Sequence, residues 1–481
     1  MQLTIVLRTF GILLMLFSVS LLPPVLVSAI YDDGELFHFA TILWASLVAG
    51  LILWLPFRTG QRALRNRDGF VIVGMFWLVI GLISAVPFLV GLGMSPAWAV
   101  FEAISAFTTT GATVIVGLDE LPKSILFYRQ QLQWLGGIGV VVTAVALLPM
   151  MGVGGMQLVR AEATGPMKEE KLTPRINNTA KALWKIYGVL TLACALAYWL
   201  AGMDLFDAIA HSFSTVSTAG FSTHDASLAY FDSPLIEAIA VVFMLLGSIS
   251  FALHFTAWHN YSPRIFLHNA ELRVFLGVAL VLSVIATVVL VSEGTRPDVL
   301  TAARFAVFEV VSVITTTGFS IEDFSAWPAM LPVLLIFAAF MGGCAGSTSG
   351  GMKTIRFVVL FKQGILEISN LIHPNLVRPL KIENRVVPQR VVQAVWGFFA
   401  AYMAAFAVFM LSLMMLGLDQ ITAFGAVAAT LNNLGPGLGA VSSNFTGMPD
   451  AGLWLMSFAM LLGRLEIFTL LVLLTPGFWR R

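Results

Sequence analysis

The sequence predicts an all-α polytopic membrane protein: two N-terminal helices, then four repeats of long helix, half-helix, glycine loop and long helix. Three observations carry this. Of 481 residues, 58% are hydrophobic and only 11% are charged, against roughly 25% charged in a soluble globular chain. Apolar runs long enough to cross a bilayer, about 20 residues each, recur from one end to the other. A glycine loop recurs four times at a spacing of about 100 residues, longer than any solenoid period, so the unit is a repeated domain.

The loops read Ala106-Phe-Thr-Thr-Thr-Gly-Ala-Thr113, Val216-Ser-Thr-Ala-Gly-Phe-Ser222, Val313-Ile-Thr-Thr-Thr-Gly-Phe-Ser320 and, degenerately, Leu431-Asn-Asn-Leu-Gly-Pro-Gly437. Their alignment makes Gly111, Gly220, Gly318 and Gly435 equivalent. Around them the elements follow in order. Spans at 6–30 and 36–56 open the chain. Val27-Ser28-Ala29 resembles a signal-peptide cleavage site, but the apolar run before it is longer than a usual signal core, so it reads as a retained helix. The first repeat places a span at 70–92, a half-helix at 96–107 and a return span at 126–150. The second has 185–201, 204–215 and 234–258; the third 272–291, 299–312 and 330–353; the fourth 391–416, 419–431 and 453–475. The domain boundaries that follow are 1–68 for the helix pair and 69–156, 157–262, 263–370 and 371–481 for the repeats.

Charge sets the orientation. The net charge of +1 says little, because charges are segregated by loop. Basic residues gather at 58–67, at Arg160, Lys168, Lys171, Arg175, Lys181 and Lys185, at Arg264 and Arg273, from Lys353 to Arg390, and at Arg480. The intervening loops hold Asp32, Asp33 and Glu35, then Asp119 and Glu120, Asp225, and Glu322 and Asp323. Positive residues mark cytoplasmic loops, so the glycine loops fall on the external half and both termini are cytoplasmic. The two cysteines, Cys194 and Cys344, offer neither a disulfide framework nor zinc spacing.

Irregular backbone at membrane depth survives only when protein buries it or water wets it. Four half-helix-and-loop units about one axis satisfy that condition, in a pseudo-fourfold arrangement around one ion pore. Each half-helix brings its negative C-terminal end to a loop, which favours a cation. The loop carbonyls can then replace a cation's hydration shell, glycine permitting backbone angles that a Cβ forbids. A simpler account, small residues easing helix packing, does not explain four loops at matching places.

These four loops resemble the filters of the Trk/Ktr/HKT superfamily of potassium transporters, and the resemblance covers essentially the whole chain. It implies four M1–P-loop–M2 repeats around one pore, with glycine in all four loops going with potassium selectivity. The ion ligands it implies are the carbonyls of Thr109, Thr110 and Gly111; of Thr218, Ala219 and Gly220; of Thr316, Thr317 and Gly318; and of Asn433, Leu434 and Gly435. The fourth loop departs from Thr-x-Gly, so ligand geometry need not be equal around the ring. The resemblance also implies a potassium ion as cargo, a homodimer in the bacterial cytoplasmic (inner) membrane among lipid, and a TrkA-like cytoplasmic nucleotide-binding regulatory subunit docking on the basic segment from Lys353 to Arg390. Passive uptake and proton or sodium symport are both compatible with the residues. No nucleic-acid partner is expected.

Met341-Gly-Gly-Cys-Ala-Gly-Ser-Thr-Ser-Gly-Gly-Met-Lys353 interrupts the third return span. A run so rich in glycine and serine should break a helix. It is similar to the family's intramembrane gating loop, here 342–351, with Gly342, Gly343, Gly346, Ser347, Gly350 and Gly351 as gate residues; a hinge without gating duty is the alternative. It nearly fits a phosphate-binding Gly-x-x-x-x-Gly-Lys pattern, but Met352 separates Gly351 from Lys353 and no strand precedes it. Arg464 and Glu466 lie inside the last span, where charge faces a cavity or a partner. Two residues apart, they do not face each other. The resemblance makes Arg464 a positive barrier beneath the filter; the alternative is a salt bridge to another helix.

Lesser features are His211 and His224 around the second loop, with no metal spacing; Glu102 and Glu309 at equivalent places in half-helices, bracing the loops or drawing cations; Gly152-Val-Gly-Gly155, too short for a dinucleotide fingerprint; and the sequon Asn177-Asn-Thr179, silent on a cytoplasmic loop. The competing function is a secondary transporter of another cation or small solute coupled to protons or sodium, which would want free carboxylates at the membrane centre. An enzyme is not expected: the apolar segments hold no paired catalytic carboxylates, His-Glu-x-x-His or Gly-x-Ser-x-Gly.

Overall fold

Helices dominate the computed structural model, which describes residues 3–57, 66–142, 172–375, 378–383 and 385–480. The basic stretch at 58–65, the Gly152–Gly155 run and Arg160, Lys168 and Lys171 lie outside the described residues. The sequon at Asn177 falls within the helix Leu172–Leu200.

Six described helices are long and apolar enough to cross a membrane, or up to eight if two bent pairs each count as one span. Ten were expected. The first return helix, Lys123–Val142, carries Arg129, Gln130, Gln131 and Gln133, which lower its hydropathy while facing protein. The third return helix ends at Met341, where the glycine-rich stretch begins. The opening pair packs through a glycine crossing: a Cβ added to Gly11 would lie 2.7 Å from the Gly50 carbonyl oxygen, and one on Gly50 would lie 2.8 Å from that of Gly11. Without side chains at the crossing, the two backbones touch.

The four half-helices are Pro96–Phe107, Leu205–Val216, Val299–Ile314 and Gln420–Leu431. Each starts at a capping side chain. Ser95, Asp204, Asp298 and Asp419 accept hydrogen bonds from first-turn amides, satisfying donors with no partner inside the helix. The third is 16 residues against 12 in the others, one extra turn at its start.

Three expectations require correction. The return spans at 234–258 and 453–475 are not continuous. Pro234–Ser248 and Phe251–His259 meet at 91°, and Asp450–Arg464 and Phe468–Leu474 at 115°. Neither break holds proline. At the first, residues 344–348 supply the partners for the interrupted backbone: Cys344 N donates to Ser248 O at 2.9 Å and Phe251 N to Gly346 O at 3.0 Å. At the second, Glu466 and Ile467 have φ of 53° and 52°, two positive-φ residues that end the helix; Ile467, with ψ of −62°, is an outlier for a β-branched residue. Third, the basic segment after Lys353 is not all loop. It continues as the helix Thr354–Ile372, and Lys353 and Arg356 at its start are buried. Beyond it, Lys381–Ile382 pairs antiparallel with Arg385–Val386, a departure from all-α too short to alter the class.

Candidate functional site

Each half-helix ends the same way. Thr109, Thr218, Thr316 and Asn433 have φ of 55°, 51°, 56° and 54°. In the first, Thr109 N donates to Ala106 O and Thr110 N to Ser105 O, the paired bonds of a Schellman end with its left-handed residue just past the helix. The other three repeat the pattern. That position normally takes glycine or asparagine. Three of these ends use threonine, at about 1–2 kcal/mol each for a left-handed L-residue, so the side chain is retained for another purpose.

Two residues on come the aligned glycines. Gly111, Gly220, Gly318 and Gly435 have φ of 81°, 80°, 81° and 97°. Each also abuts the next loop. A Cβ would lie 2.1 Å from Ala219 O at Gly111, 2.0 Å from Thr317 O at Gly220, 2.2 Å from Leu434 O at Gly318, and 2.9 Å from Thr110 O at Gly435. The contacts run from the first loop to the second, third and fourth and back to the first. The structure therefore brings all twelve expected ligand residues into one closed ring. Asn433 Nδ2, donating to Thr110 Oγ1 at 2.9 Å, ties the last loop to the first. Ala219 O already accepts from Gln133 Nε2 at 3.0 Å, keeping one lone pair free.

Nine residues before each glycine stand Glu102, His211, Glu309 and Ala426. The first three brace the chain leaving the ring. Glu102 accepts from Val114 N at 3.0 Å and Thr113 Oγ1 at 3.0 Å. His211 Nε2 bonds Ser222 Oγ at 2.9 Å. Glu309 accepts from Ile321 N at 2.9 Å and Glu322 N at 3.2 Å. Glu102 is also ion-paired with Arg129 at 2.7 Å, both fully buried, and the Arg129 guanidinium sits 4.1 Å over the Phe221 ring. These carboxylates are thus engaged by backbone rather than presented to solvent. Sequence reasoning set His211 aside; the constant offset from the glycines was the signal that could have found it.

A second offset was also missed. Gly136, Gly247, Gly343 and Gly463 each lie thirteen residues after the first residue of their return helix. A Cβ on the first, second and fourth would meet the carbonyl oxygen of the last half-helix residue, Phe107, Val216 or Leu431, at 1.9, 2.8 and 2.1 Å. In the third repeat the intramembrane stretch takes that place: the neighbours of Gly343 are Ser349 Oγ and Ser248 O.

Residues 342–353 are buried apart from a partly exposed Gly351, and they sit against the ring. Gly342, Gly346 and Gly351 have φ of 63°, 74° and 70°. Gly350 N donates to Thr316 Oγ1 at 2.6 Å and Gly351 N to Asn432 O at 2.9 Å. Thr348 Oγ1 meets Thr218 Oγ1 at 3.1 Å. Ser347 Oγ turns back to Cys344 O at 2.6 Å. Arg464 spans both parts: Nη1 donates to Thr348 O at 2.9 Å and Nη2 to Thr109 Oγ1 at 2.5 Å. The three threonines at left-handed helix ends therefore all hold this assembly through their hydroxyls. Glu466 pairs with Arg356, at 2.5 Å, and not with Arg464. Arg464, Lys353, Trp77, Asn433, Gly350 and Glu466 are among the residues lining a cavity of about 30 Å³.

Outside the spans, His224 lies between two carboxylates, bonding Asp207 at 3.0 Å and Asp119 more closely, with Tyr230 stacked on it at 3.4 Å. Burial alone would lower the imidazole's affinity for a proton, but Asp207 and Asp119 outweigh it and hold the His224 pKa above its ordinary value. Among the described residues no cluster of three or more His, Cys, Asp or Glu could hold a metal ion, and the two buried cysteines form no disulfide.

With this geometry in place, comparison with known proteins is specific. The family model TrkH, described as a cation transport protein, matches residues 35–477. The chain is 52% identical over 483 residues to the Trk system potassium uptake protein TrkH of Halomonas elongata, covering 100% of each. It is 51% identical over 475 residues to the protein of that name in Escherichia coli K12, covering 98% of each. The crystal structure of the potassium transporter TrkH from Vibrio parahaemolyticus matches with a TM-score of 0.93 at 50% identity, covering 100% of both chains. With a family model spanning most of its length and relatives half identical from end to end, the chain belongs to the TrkH family of cation transport proteins, which are transporters and not enzymes.

Proposed function

We propose that this chain carries potassium ions into the cell across the bacterial inner membrane, through a pore whose selectivity filter is the four-loop ring. One observation carries the reading: four loops close on one another, each with a left-handed residue, an intervening residue of negative φ and a left-handed glycine. On this reading the alternation of hand directs successive carbonyls to the axis, as in filters built from rings of backbone carbonyls. The side chains of Ala219 and Leu434 are then free to vary. The names of the relatives, potassium uptake proteins, support the ion's identity.

The stretch 342–351 and Arg464 act as the gate. The loop is bonded to the ring from below, and a guanidinium at the ring repels a cation. The repeats at 69–156, 157–262, 263–370 and 371–481 are the building units. A cytoplasmic nucleotide-binding partner docks on the basic surface that follows Lys353, and the chain works as a homodimer with both termini in the cytoplasm.

The test is ion flux into vesicles holding the purified chain, with and without its cytoplasmic partner. Potassium and rubidium should pass well ahead of sodium; equal sodium flux would overturn the filter assignment. Deleting 346–350, or Arg464→Ala, should raise basal flux, and a gate elsewhere would leave it unchanged.

A further inference from the structure

Arg464 is not the only positive charge beneath the ring. Lys353, which the charge pattern assigns to the cytoplasm, is 7% exposed and lines the same cavity. Its backbone has a positive φ of 77° with ψ of 133°, a conformation strained for an L-residue with a side chain and open to glycine. The two residues before the intervening Met352 are glycines, so a lysine here is a position where the side chain outweighs the strain. Its ammonium donates to the Ser349 carbonyl within the loop. Among the described residues, no carboxylate lies within ion-pair distance of Lys353 or Arg464; the nearby Glu466 is engaged by Arg356.

Buried Glu271 also attracts Lys353 without a direct ion pair, but its carboxylate accepts from the Ala345 and Ile355 amides, so the two cations need a further compensating field, and the half-helices provide one. Each C-terminal end carries about −0.5 of an elementary charge, so four converging ends present about −2. That is the field which, on the reading of the ring as a potassium filter, attracts the ion. Lys353 and Arg464 supply positive charge at the same place, only partly offset by Glu271. An ammonium is also close to potassium in size and charge and takes the same carbonyl ligands, as its bond to Ser349 O illustrates.

We propose that Lys353 is a second gating residue, a tethered cation that occupies the inner end of the ion path with Arg464 and competes with potassium for the half-helix ends. Opening then requires withdrawal of the ammonium along with the loop, and potassium entering from the ring side favours that withdrawal. This rests on the potassium-pore reading above.

The experiment uses the full-length chain in vesicles without its cytoplasmic partner, with rubidium flux as readout. Lys353→Met keeps the length and removes the charge; it should raise basal flux about tenfold, a barrier change of about 1.4 kcal/mol. Lys353→Arg should stay within about twofold of the parent. Lys353→Cys, in a C194A/C344S background, controls for misfolding. Its flux should be high, fall when methanethiosulfonate ethylammonium restores a positive tether on the same folded protein, and rise again on reduction. If Lys353→Met and Lys353→Cys conduct no more than the parent while Arg464→Ala does, the tethered-cation role is refuted and the pore reading stands. If no variant conducts, and the parent with its cytoplasmic partner does not either, the pore reading fails and this inference with it.

Discussion

The first three loops and the fourth reach one backbone geometry from different residues. In loops one to three, threonine takes the left-handed helix end and a buried polar residue nine places before the glycine ties down the departing chain. In loop four, Asn433 takes the left-handed position, which asparagine tolerates, and the bracing position holds Ala426, which cannot brace. Its departing chain is held by direct approach instead: a Cβ on Gly425 would lie 2.3 Å from Leu438 N. Tyr402 Oη donates to Asn432 Oδ1 at 2.6 Å, and Phe445 N to Thr113 O at 2.8 Å. The difference teaches that the ring selects for backbone conformation and for contact between loops, while the side chains that secure each loop are local solutions.

That contrast can be broken most severely at the glycines. Alanine at Gly111, Gly220 or Gly318 drives a Cβ to within 2.0–2.2 Å of a neighbouring carbonyl oxygen, against 2.9 Å at Gly435. Potassium uptake by G111A, G220A and G318A should fall at least about 100-fold, roughly 2.7 kcal/mol. Uptake by G435A should stay within about tenfold of the parent. Equal losses at all four positions, measured as initial rates in vesicles, would mean that strain in φ matters and the inter-loop contact does not.

The braces give the next largest effect. Glu102→Ala strands the buried Arg129 and should lower stability by about 3–5 kcal/mol. Glu309→Ala leaves two amides unpaired and should cost about 1–3 kcal/mol, while Ala426→Ser in the unbraced loop should be close to neutral. Thermal unfolding of the detergent-solubilised variants orders the three; a neutral Glu102→Ala would remove the bracing role.

The smallest effect is at His224, which links the loop after the second glycine to Asp119 of the first repeat. A histidine held above its ordinary pKa stabilises the fold fully below about pH 6.5, the ordinary imidazole value, and loses that contribution as pH climbs through the raised value. The parent should therefore melt progressively earlier across that window. His224→Asn should flatten the dependence without abolishing flux; an unchanged pH profile in His224→Asn would assign the dependence to another group.

Much of the fold was legible in residues alone. Half-helix bounds at 96–107 and 419–431 agree with Pro96–Phe107 and Gln420–Leu431 to within one residue, because apolar length is a local signal. Gly111, Gly220, Gly318 and Gly435 stood out because left-handed backbone leaves a recurring glycine. Other features had no local signal. Nothing in Ile249-Ser250 or Leu465-Glu466-Ile467 announces a bend, since these breaks are compensated by bonds to distant segments such as Phe251 N to Gly346 O. Arg356 and Lys353 read as solvated loop charges because their partners, Glu466 and the Ser349 carbonyl, come into reach only through folding.

Sequence by itself determined the solvent, the half-helix positions and the four equivalent glycine positions, because hydropathy and backbone sterics act within a few residues. Only the tertiary structure decided the order in which the loops touch and the seating of 342–353 against three threonine hydroxyls. It also decided the burial of two cations where four helix ends converge. Each of those depends on segments 34 to 355 residues apart, and a distance between such segments exists only once the chain has packed.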